Sequence, residues 1–110
     1  MATVMLMEWQ GVTPEQYTRV MGNLGLDSKP PVGAIFHVAG FSGGALRVLD
    51  IWESQQAFES FQRDRLTAAV QKAGITTQPT TVQFFPAHNI YTPNIEVIRK
   101  AGASSLPLGV

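Results

Sequence analysis

The order of secondary-structure patterns predicts an α+β fold of the ferredoxin-like βαββαβ type. An antiparallel four-stranded sheet would carry two helices on one face. Strand-like and helix-like patterns follow one another in that order up to about residue 85, and 110 residues suit a single domain. Charged residues make up only 15% of the chain, against about 25% in an average soluble domain. Part of the surface is therefore expected to be covered by a partner.

The first strand and helix are predicted from an apolar run and a set of capping residues. Ala2–Gln10 is an almost continuous apolar run, which is typical of a strand buried on both faces. The first helix follows it. Thr13 suits the N-cap, Gln16 completes a capping box with it, and Gly25 suits the C-cap.

The remaining elements follow from periodicity and from turn residues. They are a second strand at 33–40, a glycine-rich loop at 41–44, a third strand at 45–52, a helix from the cap Ser54 to Gly74, and a fourth strand at 80–85. Residues 1–90 thus form the domain. Residues 91–110 form a C-terminal tail, with one short helix predicted at 94–101, that can pack on a partner subunit.

The amino-acid composition restricts the kinds of partner that the chain can bind. Side chains on both faces of the strands are too apolar for one face of the sheet to meet water. A second copy is the simplest cover, so a homodimer that pairs through its sheet is predicted. The net charge is zero, which argues against nucleic acid as a partner. No apolar run approaches a membrane span, and no signal peptide is recognisable. A cytoplasmic location is expected.

The segment Leu49–Phe58, with the sequence LDIWESQQAF, resembles dimeric α/β-barrel proteins, including the antibiotic-biosynthesis monooxygenase-like family. In those proteins a strand ends in Trp-Glu-Ser and a helix with Ala-Phe in its first turn follows at once. The order of elements and the chain length match as well, so the resemblance covers about residues 2–90. It implies the same fold and a small pocket between the sheet and the helices of each subunit.

The resemblance also implies a range of functions. Its members include cofactor-independent oxygenases acting on aromatic polyketides, haem-degrading enzymes and polyketide cyclases. The haem-degrading members carry a haem-ligating histidine on the second helix, where this chain has none, so no cofactor is predicted. We expect a cofactor-independent enzyme of the monooxygenase, cyclase or isomerase type, acting on an apolar, polyketide-like small molecule. The alternative is a non-catalytic ligand-binding or stress-related homodimer.

Three residues are predicted to carry acid–base chemistry: Asp50, His37 and His88. The two histidines are the only side chains whose ordinary pKa lies near neutrality. Asp50 lies within an apolar strand, where a carboxylate is costly unless it is paired. Two of them have a structural alternative: His37 can satisfy one hydrogen bond across the sheet or at the dimer interface, and Asp50 can pair with an arginine. The register of the second and third strands, left open here, decides whether His37 faces Asp50.

A second group of residues is predicted to bind substrate. Glu8 is placed with them because the first and third strands are adjacent in this topology, so that Glu8 and Asp50 could be near neighbours. The aromatic members can equally be ordinary core, since helical spacing alone explains several of them. No histidine spacing of the H-x-H or H-x-x-x-H kind occurs, so no metal site is predicted. The predicted substrate-binding residues are Trp52, Glu8, Trp9, Tyr17, Phe58, Phe61 and Asn89.

Overall fold

The computed structural model of the chain describes residues 1–102, with side chains through Ile98. Its elements are β1 (Thr3–Gln10), α1 (Pro14–Leu24), β2 (Ala34–Ser42), β3 (Ala45–Trp52), α2 (Gln55–Phe61), a π-helical turn (Gln62–Leu66), α3 (Thr67–Lys72), β4 (Thr81–Pro86) and α4 (Ile95–Gly102). The four strands form one antiparallel sheet in the order β2-β3-β1-β4. This confirms the predicted ferredoxin-like α+β fold. The part of the predicted tail beyond residue 102 lies outside the described residues.

The helix α1 begins and ends as its capping residues predict. The Thr13 side chain accepts a hydrogen bond from the backbone N–H of Gln16, and the Gln16 side chain accepts one from the backbone N–H of Thr13. Gly25 ends the helix in the left-handed conformation, at φ 59°. Tyr17 lies in the first turns of the helix that these two ends delimit.

The second predicted helix differs from expectation, because a π-helical turn divides it into α2 and α3. The backbone N–H of Thr67 bonds to the carbonyl of Gln62, five residues earlier, and the Thr67 hydroxyl donates to the same carbonyl at 2.9 Å. Such a turn accommodates one extra residue in a helix. Phe61 and Leu66, at either end of it, both line the central cavity described below.

The hydrophobic core fills the layer between the helices and one face of the sheet. Side chains from that face pack against Val20 and Leu24 of α1, Phe58 of α2 and Val70 of α3. The sheet residues of this core are Met5, Met7, Trp9, Leu46, Val48 and Trp52. In β1 and β3 the residues between them, such as Leu6 and Leu49, point to the opposite face because side chains alternate along a strand. Leu6 and Leu49 are only half-buried in the single chain.

The hairpin between β2 and β3 is tighter than the predicted four-residue loop. β2 continues to Ser42, which pairs with Ala45, and only Gly43 and Gly44 connect the strands. Both glycines have positive φ, 61° and 76°, as required of the two central residues in the hairpin turn that best matches strand twist. This two-residue connection sets the pairing of the two strands.

The chain after β4 carries α4. The Asn94 side chain accepts a hydrogen bond from the backbone N–H of Val97, which confirms the helix predicted at 94–101 to within one residue at each end. Several apolar side chains here are exposed, including Tyr91 at 79% and Val97 at 57%. Among the described residues, no helix combines the length and the hydropathy needed to cross a bilayer.

Candidate functional site

A cavity of about 250 Å³ lies between the sheet and the helices. Its volume is near the low end of the range of about 300–1,000 Å³ typical of small-molecule pockets. Its walls are almost wholly apolar, and they include the thioethers of Met5, Met7 and Met21. Polar side chains enter this lining at one place only among the described residues, where Tyr17, His37 and Asp50 meet.

Asp50 is the buried anchor of this polar group. Only 9% of its side chain is exposed, and a carboxylate at such a position requires partners for both oxygens. Oδ1 lies 2.6 Å from Nδ1 of His37, and Oδ2 accepts a hydrogen bond from Nε1 of Trp52 at 2.9 Å. The partners of Asp50 are therefore a histidine and an indole, and the arginine considered from the sequence is not one of them.

His37 lies directly opposite Asp50 in the β2–β3 ladder, so the two side chains share the cavity face of the sheet. Because the carboxylate can only accept, Nδ1 of His37 carries a proton, and the lone pair of the neutral imidazole is then on Nε2. With 36% of its side chain exposed, His37 lies at the mouth of the cavity above the buried carboxylate. This is the arrangement that orients a histidine as a general base.

Tyr17 completes the group from α1. Its hydroxyl lies 2.7 Å from Nε2 of His37, and the tautomer fixed by Asp50 makes the phenol the donor. The two rings are nearly parallel, at 4°, and Phe41 meets the Tyr17 ring edge-on. Burial, followed by the negative charge of Asp50, raises the pKa of Tyr17 to about 12. The phenol therefore keeps its proton at neutral pH.

The four side chains form one connected set of hydrogen bonds that converges on Asp50. Trp52 donates to Asp50, His37 donates to Asp50 through Nδ1, and Tyr17 donates to His37. No buried side-chain nitrogen or oxygen atom in the described part of the protein lacks a hydrogen-bond partner. The arrangement can therefore take a proton at Nε2 and hold the resulting imidazolium beside a carboxylate.

The expectation that Glu8 lies near Asp50 is wrong. The β1–β3 register places Met5 opposite Asp50 and Glu8 opposite Arg47. Glu8 has the other parity in β1, so its side chain points to the opposite face of the sheet, where its Oε2 accepts from the Arg47 guanidinium at 2.9 Å. Glu8 is not among the residues that line the cavity.

The structure does not bring His88 and Asn89 to the cavity. Both side chains are exposed on the segment that follows β4, and neither lines the cavity. The chain leaves the sheet at Ala87, whose N–H bonds to the carbonyl of Ala2. Of the two histidines considered from the sequence, only His37 is therefore placed beside a carboxylate in the cavity wall.

The predicted aromatic residues do line the cavity, and two of them have further partners. Trp52 packs against both Phe58 and Phe61 at ring-centroid distances of 5.5 Å. Nε1 of Trp9 donates to the Thr77 hydroxyl at 2.9 Å. The methionines and the polar contact of Tyr17 were missed from the sequence. Helical spacing placed Tyr17 on the buried side of α1, and no sequence signal paired its hydroxyl with His37.

Comparisons with known proteins agree with the fold. No protein-family model matches the chain, and a search of curated proteins finds no match. Solved structures do match. A Chloroflexus aurantiacus protein, provisionally named an antibiotic biosynthesis monooxygenase, aligns with TM-score 0.62 at 10% identity over 86% of this chain and 100% of its own.

Two Streptomyces oxygenases have the same fold. SnoaB of Streptomyces nogalater, a cofactor-independent oxygenase, aligns with TM-score 0.56 at 13% identity, over 84% of this chain and 97% of its own. The ActVA-Orf6 monooxygenase of Streptomyces coelicolor, solved in complex with nanaomycin D, aligns with TM-score 0.58 at 18% identity, over 84% and 93%. The chain thus has the fold of antibiotic-biosynthesis-monooxygenase-like proteins, as its Trp-Glu-Ser segment predicts.

Proposed function

We propose that the chain is a cofactor-independent enzyme that performs acid–base chemistry on an apolar small molecule held in the cavity. The observation that carries the proposal is the His37–Asp50 pair, which places an oriented imidazole at the mouth of an otherwise apolar cavity. A buried apolar cavity with a few convergent polar groups is typical of a substrate site. The oxygenases that share the fold support the same class of reaction.

In this proposal His37 removes a proton from the substrate and Asp50 stabilises the imidazolium that forms. The proton moves to Nε2, and the electron pair of the broken bond stays on the substrate as a carbanion or enolate. In the oxygenase form of the reaction this anion reduces dioxygen. A CH₂ group then becomes a carbonyl, and the second oxygen atom leaves as water with the two hydrogens. The apolar walls exclude water from the anion, which strengthens its interaction with the imidazolium.

The test compares two histidine variants. Dithranol, a hydroxylated anthrone with an acidic CH₂ group, is the probe, and its conversion to the anthraquinone is followed by absorbance and by oxygen uptake above the rate without protein. His37→Gln should lower turnover about 10²- to 10⁴-fold, whereas His88→Gln should leave it unchanged. Equal effects of the two substitutions would refute the proposal. Tight binding without turnover by the unmodified chain would favour the non-catalytic alternative.

We also propose that two copies pair through the open face of the sheet. Two rows of apolar side chains cross the strands on that face. One row is Val38, Leu49 and Leu6, and the adjacent row is Ile51, Val4 and Phe85. Val38 is 50% exposed and Phe85 43% exposed in the single chain. Burying such rows against a second copy is favourable by about 25 cal/mol per Å² of apolar surface. The tail from residue 91, with its exposed apolar side chains, would then pack on the partner subunit.

The mass in solution tests this pairing. Light scattering at micromolar concentration should give twice the chain mass of 12.0 kDa. Val38→Asp should lower the mass to that of one chain, because it places a carboxylate in the apolar row. Val32→Asp is the matched control, since Val32 is 90% exposed in the loop before β2 and should leave the dimer intact. A single-chain mass for the unmodified protein would contradict the pairing.

A further inference from the structure

We propose that Tyr17 is a displaceable cap on the His37 base, and that only a ligand with an acidic hydroxyl displaces it. The inference rests on the proposed function and specifies the ligand. In the structure the Tyr17 hydroxyl lies 2.7 Å from Nε2 of His37. Beside the neutral imidazole that Asp50 orients, this hydroxyl is the donor, so the lone pair of Nε2 is not free for a substrate. Any ligand that gives a proton to His37 must first take the place of that hydroxyl.

A ligand with a suitable hydroxyl group can replace the hydrogen bond between Tyr17 and His37. The phenol and the imidazole satisfy one another when the cavity holds no ligand, and an unpaired polar group in so apolar a cavity would be costly. The high pKa of Tyr17, about 12, keeps the phenol protonated and neutral. It can therefore donate to His37, but it does not compete for the proton as a phenolate would.

The cap selects by chemistry as well as by shape. A hydrocarbon or an ether can fill the apolar cavity but offers no proton to Nε2, so it leaves the Tyr17–His37 bond in place. A phenol or enol offers an equivalent O–H and exchanges one hydrogen bond for another at little net cost. Tyr17 and His37 both line the cavity, so a ligand held there can reach Nε2 once the Tyr17 hydroxyl has left it.

The experiment is a binding comparison with two probes that differ by one methyl group. Para-nitrophenol carries the hydroxyl, and para-nitroanisole carries a methoxy group in its place. Tyr17→Phe removes the cap and leaves the ring. It should tighten para-nitrophenol binding about two- to twelvefold, the range that corresponds to one net hydrogen bond, and leave para-nitroanisole unchanged. Adding His37→Gln to this variant should abolish the gain.

Weaker para-nitrophenol binding by Tyr17→Phe would overturn the cap, because it would make Tyr17 a donor to the ligand. Unchanged binding would overturn it too, because the hydroxyl would then not compete. A second measurement uses the unmodified chain, in which para-nitrophenol alone should shift the NMR signal of the Tyr17 ζ-carbon as its hydroxyl leaves His37. The absence of that shift would also refute the cap. None of these results depends on dithranol turnover, so the failure of the cap and the failure of the proposed function are distinguishable.

Discussion

Replacing Asp50 with asparagine should reverse the two hydrogen bonds of His37 while leaving all three bonds of the polar group made. Trp52 can only donate, so the asparagine carbonyl must face its Nε1, and the asparagine N–H₂ group must face Nδ1 of His37. The imidazole then has to accept at Nδ1 and carry its proton on Nε2. Tyr17 becomes the acceptor of that N–H. The lone pair that the proposed reaction requires is no longer available on the cavity side.

The structure separates the two consequences of Asp50→Asn. Two hydrogen bonds to a charged acceptor, at 2.6 and 2.9 Å, become neutral ones. Charged bonds contribute about 1.5–3 kcal/mol and neutral bonds about 0.5–1.5 kcal/mol, so the free energy of unfolding should fall by roughly 1–3 kcal/mol. Turnover should fall far more. The wrong histidine tautomer in a Ser-His-Asp triad lowers kcat about 10⁴-fold, and we expect a loss of about 10²- to 10⁴-fold here.

Two measurements read these consequences independently. The ¹⁵N shifts of the His37 ring should show the proton on Nδ1 in the unmodified chain and on Nε2 in Asp50→Asn, with His88→Gln used to assign the signals. Dithranol oxidation reports turnover, and urea unfolding reports stability. Asp27→Asn, at an exposed aspartate, is the matched control and should change none of the three. A variant that keeps the proton on Nδ1, or that turns over dithranol normally, would refute the tautomer argument.

Two further predictions concern pH and the approach of β2 to α2. Since burial raises the pKa of Tyr17 from 10.0 to about 12, the folded state holds this proton more tightly than the unfolded state does. The stability that this tighter proton binding contributes is complete below pH 10 and is lost as the pH rises to about 12. The urea midpoint should therefore fall less between pH 10 and pH 12 in Tyr17→Phe than in the unmodified chain. Gly33→Ala should lower the free energy of unfolding by about 1–3 kcal/mol, because φ is +84° and a Cβ there would lie 2.8 Å from that of Ala57. Gly22→Ala, within α1 with no atom in the way, should raise it by up to about 1 kcal/mol in the same urea titration.

The fold could be predicted because its signals are local. The capping box at Thr13 and Gln16 and the Ser54 cap reappear in the structure. The π-helical turn could not be predicted, because its bond from Thr67 to Gln62 differs by one residue from an ordinary helical bond. Periodicity read over a whole helix does not resolve that difference.

The geometry of the site depends on the register of β2 and β3, and the glycines between these strands are a sequence signal for that register. Two adjacent glycines between β-like segments are a recognised two-residue hairpin connection. Taking Gly43 and Gly44 as the whole loop pairs Ser42 with Ala45, and counting back along both strands pairs His37 with Asp50. One extra residue in β2, between Ala34 and Phe36, absorbs the mismatch at the far end of the ladder. The wrong expectation for Glu8 has the same origin. Side chains on adjacent strands lie close together only when both point to the same face of the sheet, and Glu8 and Asp50 point to opposite faces.

Stability alone does not require the polar group in this cavity. Replacing a buried ionic or polar cluster with apolar side chains of similar volume is often neutral or stabilising, and the remaining lining of the cavity is already apolar. Asp50 is nevertheless held on both oxygens, and the imidazole it orients lies at the mouth of the cavity. A group that serves only to stabilise the core has no need of a solvent-accessible base or of a fixed tautomer. The geometry therefore supports an acid–base role for His37 more strongly than a structural one.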